Sequence, residues 1–93
     1  MSVTPVQGLA TEVITGGQAV TAIPANPNGG IIMNPPSAPE NLYVNPVGAA
    51  SPSAGGSNFE IPPGGVWNVI PGQTTPTSVN APSNNHEFSA IYW

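Results

Sequence analysis

Apolar positions along the chain come in short groups: Val13-Ile14, Ile31-Ile32-Met33, Leu42-Tyr43-Val44, Val66-Trp67-Asn68-Val69-Ile70 and Phe88 to Trp93. Proline or glycine interrupts nearly every window of about ten residues, mostly between these groups, and marks the ends of elements. β-Branched and aromatic residues fill the intervals, as strands prefer. Short strands between turn clusters at this spacing predict a small all-β sandwich or barrel with no helix longer than about two turns.

The strands follow from the pattern. Val3 to Val6 reads as an arm or edge strand, and Glu12 to Thr15 as a strand closed by Gly16-Gly17. In Gln18 to Ile23, Val20 and Ala22 face one way and Ala19, Thr21 and Ile23 the other. Ile31 to Asn34 opens with three apolar residues in a row and is expected at the centre of a sheet. Leu42 and Val44 point inward from Glu40 to Asn45. Asn58 to Ile61, Val66 to Ile70 and Thr77 to Asn80 are further strands, with Trp67 and Val69 on one face and Val66, Asn68 and Ile70 on the other. His86 to Trp93 is the last strand, in which Phe88, Ala90 and Tyr92 alternate with Glu87, Ser89, Ile91 and Trp93. Pro46 to Ser57, a run of small residues, is expected to be the least ordered stretch. The whole reads as about seven or eight short antiparallel strands in one small β domain over residues 12–93.

Residues 1–11 are expected to form an extended arm. Pro5 and Gly8 keep Val3, Val6 and Leu9 from forming a helical stripe. Extended, about 11 residues reach roughly 35 Å, enough to cross onto a neighbouring subunit. Val3, Val6 and Leu9 are therefore candidate partner contacts, the plainer alternative being an ordinary first strand. Trp93 is a fourth candidate, because a terminal indole left in water is an odd exposed apolar group; burial against a sheet or a partner is expected. Trp67 is expected in the core.

Composition narrows the chemistry. The chain has 93 residues, 13 of them Pro and 11 Gly, with no Lys, Arg or Cys and a formal net charge of −4. Without Lys or Arg, phosphate neutralisation fails, so nucleic acid is not an expected partner. An anionic membrane surface is excluded on the same ground, and the N-terminal residues show no signal-peptide pattern. Disulfides and thiolate metal sites are impossible without Cys. Only 4% of residues are charged and 39% are hydrophobic, which is not a disordered composition. The core is nevertheless small for a domain of this length, so a partner surface would add stability.

Catalytic material is scarce, and no enzyme, metal site or cofactor is expected. His86, the single histidine, has Glu87 beside it and Ser83 and Ser89 nearby. Neighbouring strand residues point to opposite faces, so this is read as a surface histidine rather than a triad member. Glu12, Glu40, Glu60 and Glu87 are scattered, each at or beside a strand end, and are read as solvated charges. The pairs Gly16-Gly17, Gly29-Gly30, Gly55-Gly56 and Gly64-Gly65 are read as turns needing positive φ.

The run Ala22-Ile23-Pro24-Ala25-Asn26-Pro27-Asn28, then Ile31-Ile32-Met33-Asn34-Pro35, Asn41-Leu42-Tyr43-Val44 and Phe59-Glu60-Ile61-Pro62-Pro63-Gly64-Gly65 resembles the small all-β head proteins of tailed bacteriophages, the capsid decoration (cement) proteins and head-fibre bases. Relatives often carry an Arg in the turn before the second of these strands, where this chain has Gly29-Gly30. The resemblance, over residues 16–93, implies a jelly-roll or Ig-like sandwich that serves as a structural protein on the outer surface of a virion. It would be made in the host cytoplasm, would stabilise contacts between major capsid subunits, and would assemble as an oligomer. The small core and the missing charges point to a homo-oligomer, most simply a trimer, or to a tightly docked monomer. The alternatives are a tail-fibre, baseplate or receptor-binding β-domain, and, at a greater remove, a carbohydrate-binding module.

Overall fold

The computed structural model describes residues 3–93, and over these the chain is all-β, without a helix. Its ten short strands are β1 Val6–Gln7, β2 Glu12–Val13, β3 Val20–Ile23, β4 Gly30–Met33, β5 Leu42–Asn45, β6 Phe59–Ile61, β7 Val66–Asn68, β8 Thr77–Asn80, β9 His86–Glu87 and β10 Ser89–Tyr92. Every pairing is antiparallel, and the pairings nest. Val6 lies opposite Tyr92, Val13 opposite His86, Val20 opposite Val79, Ile32 opposite Trp67 and Leu42 opposite Ile61. The chain is thus one long hairpin with its tip between β5 and β6, rolled so that successive pairs fall in alternate sheets. The first sheet has the order β1-β10-β4-β7, the second β3-β8-β5-β6, and β2 and β9 form a separate two-stranded ladder. With β1/β2 and β9/β10 each taken as one interrupted strand, eight strands make two Greek keys. This is a jelly roll rather than an Ig-like sandwich.

Two irregularities set the local geometry. Between the β1–β10 and β2–β9 pairs, Gly8 to Thr11 faces the shorter Phe88 to Ala90, so the ladder bulges. Phe88 N donates to Thr11 O at 2.9 Å, while Leu9 N leaves the first sheet and donates to Ala22 O of β3 at 2.8 Å. This bulge divides the expected single strand His86 to Trp93 into β9 and β10. The register of β3 also shifts between Thr21 and Ile23. The expected strict alternation fails there: Ala22 and Ile23 are both fully buried.

Elsewhere alternation holds and builds the core. Ile32, Ala90, Val69 and Phe88 face inward from the first sheet and its extension, and meet Leu42, Val44, Ile61 and Val79 from the second. β4, the strand expected to be central, lies between β10 and β7.

Candidate functional site

The four residues singled out as partner contacts do not converge on one another. Val3, Val6 and Leu9 are 53%, 45% and 60% exposed. The segment that carries them is joined to the domain from Val6 onward: β1 pairs with β10, and Gly8 N donates to Ala90 O at 2.7 Å. Met1 and Ser2, the first residues of the expected arm, lie outside the described residues. Trp93 is half-buried, and its own chain covers it. Its N–H donates to Gly29 O at 3.1 Å, and its carbonyl accepts from Asn28 N at 2.7 Å. A Cβ on Gly29 would stand 2.9 Å from the indole ring. Gly29 is therefore required for space, not for positive φ, unlike Gly17 at φ +83° and Gly64 at +82°.

The two sheets differ on their outer faces. In the second sheet these positions are polar, and those beside residues 46–57 are covered, while Thr21 and Glu60 at the edges stay exposed. Asn45, Ser78 and Asn80 point away from the core yet are buried, because residues 46–57 fold across them. Asn45 Oδ1 accepts from Val47 N (2.8 Å) and Gly48 N (3.0 Å). Ser78 Oγ accepts from Ala50 N (2.7 Å) and donates to Gly48 O (2.6 Å). Asn80 Nδ2 donates to Ala50 O (2.8 Å), and Asn58 Oδ1 accepts from Ser51 N (2.9 Å). The stretch expected to be least ordered is thus held by side chains of β5 and β8.

The first sheet reverses this arrangement. Its outward residues are apolar or uncharged and remain open to solvent. By register, Gln7, Ile91, Ile31 and Asn68 form one row across four strands, and Ser89, Met33 and Val66 the next. Val66 is 51% and Ile91 39% exposed, and Ile31 and Met33 are half-buried. Outward alternation continues along the last strand to Glu87, which lies directly opposite Glu12. The face is thus apolar at its centre and carries two opposed carboxylates at one end. Ile31, Ile91, Met33 and Val66 are thus adjacent apolar side chains on an outward face, flanked by Gln7, Asn68 and Ser89.

A polar cluster lies where the loop after β4 meets the turn before β9. His86, expected at the surface, is buried. Its Nδ1 is 3.1 Å from Glu40 Oε2 and its Nε2 is 2.8 Å from Asn34 Oδ1. Asn34 Nδ2 donates to Glu40 O (3.0 Å) and Ile61 O (2.9 Å), which fixes its oxygen toward the histidine. Both ring nitrogens therefore face oxygen atoms, one of Glu40 and one of Asn34. Glu40 also accepts from Ser83 N (3.1 Å) and Ser83 Oγ (2.7 Å). Burial pushes the Glu40 carboxyl up, but the bonds from Ser83 and His86 outweigh it and hold the group below its ordinary value. A cleft of about 250 Å³ opens beside the cluster. Serine, histidine and carboxylate are thus neighbours, but in the wrong order for nucleophile activation. Ser83 bonds to Glu40, and neither nitrogen of His86 is free to take its proton. Glu40, expected to be solvated, ties three elements together instead.

Among the aromatic residues, Phe59 is exposed and Trp67, Trp93, Tyr43 and Tyr92 are half-buried. Trp67 is half-buried, packs against the core and stacks on Phe59 with ring centroids 4.7 Å apart and planes tilted by 37°. Tyr43 Oη donates to Glu60 Oε1 at 3.3 Å. Among the described residues, no three His, Asp or Glu side chains converge as a metal site would require.

The outer face of the first sheet was not among the residues singled out from sequence, although a signal existed. Ile31-Ile32-Met33 is apolar on both faces of its strand, whereas a two-layer sandwich buries only one. Compared with known proteins, the chain matches no family model, no curated sequence and no solved structure.

Proposed function

We propose that the chain is a structural virion protein: a decoration, or cement, protein on the outer surface of a tailed-phage capsid, where it stabilises contacts between major capsid subunits. Jelly rolls serve viral capsid and lectin domains alike, so the fold does not choose between them. The observation that carries the reading is the uncharged apolar face of the first sheet, in a chain with no Lys or Arg. The centre of such a face docks without desolvating charges, and a chain without Lys or Arg has no side-chain cation to grip packaged nucleic acid. Copies also associate with one another, most simply as a trimer, with Val3, Val6, Leu9 and Trp93 at the contacts to coat protein or to a second copy.

The test uses shells assembled from the major coat protein encoded in the same genome. The purified chain is expected to co-sediment with them saturably, at many copies per shell, and to raise the temperature at which they come apart. Absence of binding, or presence on particles only at the tail, contradicts the proposal.

A further inference from the structure

The first sheet's outer face joins two features that a free-standing domain has no reason to keep. One is the run of adjacent apolar side chains, Ile31, Met33, Val66 and Ile91, left open while the opposite face of the sandwich is partly roofed by residues 46–57. The other is Glu12 directly opposite Glu87 at the end of the same face. Like charges at directly opposed positions of an antiparallel pair are destabilising. The chain has no Lys or Arg to place between them, and its one histidine is held by Glu40 and Asn34.

A second copy of the chain cannot relieve this pair either. It brings the same carboxylates, the same net charge of −4 and again no Lys or Arg. A lysine or arginine at this end of the face can come only from a different molecule. We infer that the outer face of the β1-β10-β4-β7 sheet is the docking surface for the coat protein, whose matching surface is apolar at its centre and carries a lysine or arginine that enters between Glu12 and Glu87. The inference rests on the decoration reading and adds to it the face used and the chemistry of the partner. Apolar contacts at the centre supply affinity, and the charge at the rim fixes orientation and speeds association.

The experiment measures binding of the full chain to shells of the coat protein from the same genome, together with thermal unfolding of the free chain. Ile91→Glu puts a charge at the centre of the face and is expected to weaken binding by about tenfold or more. Val66→Ser, also on an exposed position, serves if Ile91→Glu does not fold. Glu87→Gln is expected to raise the melting temperature of the free chain by roughly 2–4 °C, because it removes the opposed charge. The same variant should weaken shell binding and flatten its salt dependence. Val47→Glu, 66% exposed on the covering loop of the other sheet, should bind as the wild type does. If the face variants bind as tightly as wild type, this inference fails while the decoration reading stands. If the wild type does not bind at all, both fail. If Glu87→Gln destabilises the free chain, the charge argument fails.

Discussion

At the scale of single residues, Asn34 is the most constrained polar group in the chain. It is fully buried, donates to Glu40 O and Ile61 O, and accepts at 2.8 Å from His86. Asn34→Ala leaves two carbonyls and an imidazole nitrogen without partners inside the fold. The expected cost is about 2–4 kcal/mol, read from the shift in urea midpoint. Glu40 gives the same cluster a pH dependence. Its carboxyl is held below the ordinary value of 4.5, so the unfolded chain binds the proton more readily than the folded one. The Glu40 contribution is therefore full above that value and is lost as pH falls through the lower, folded-state value. Urea midpoints measured from about pH 7 down to about pH 3 should fall on the acid side, and Glu40→Gln should flatten that fall. An acid limb unchanged in the variant would show that Glu40 is not its source. None of this was visible in the sequence, where His86 borders Glu87 but is 46 residues from the carboxylate it meets.

At the scale of elements, most strands were legible because their signals are local. β8 occupies Thr77–Asn80 as read, β4 is central, and the inward residues Leu42, Val44, Phe88 and Ala90 are all buried. Local periodicity does not report what lies on the other side of a sheet. β8 is buried at all four positions, two of them polar toward the outside, because the loop at 46–57 covers it. That loop is small-residue chain with turn chemistry, and its order comes from the side chains of Asn45, Ser78 and Asn80, most of them far away in sequence. Ser78→Ala removes the acceptor of Ala50 N and the donor to Gly48 O. The expected result is about 1–3 kcal/mol lost and faster amide exchange at Ala50, with β5 and β8 otherwise protected. Unchanged exchange at Ala50 would mean that the loop is held by something other than this hydroxyl. The bulges were likewise beyond reach of periodicity: Ala22 and Ile23 are both buried only because β3 slips against β8, and the strand from His86 breaks only because Gly8 to Thr11 is one residue too long for its partner.

At the scale of the whole molecule, the jelly roll gives the chain one polar face partly roofed by its own loop and one apolar face left open, and that asymmetry carries the functional reading. The roofed side places Asn45, Ser78 and Asn80 under that loop. The open side presents Ile31, Met33, Val66 and Ile91 with no charge among them, and Glu12 and Glu87 at one end. A domain of this size has a small core, and docking adds stability by mass action. The most direct measurement is hydroxyl-radical footprinting of the chain, free and bound to shells of the coat protein from the same genome, read by mass spectrometry. Met33, Val66 and Ile91 should be modified in the free chain and protected in the bound one, while Val47 on the covering loop stays equally reactive in both. Protection at Val47 and the 46–57 loop, with Met33, Val66 and Ile91 still reactive on the shell, would contradict the account.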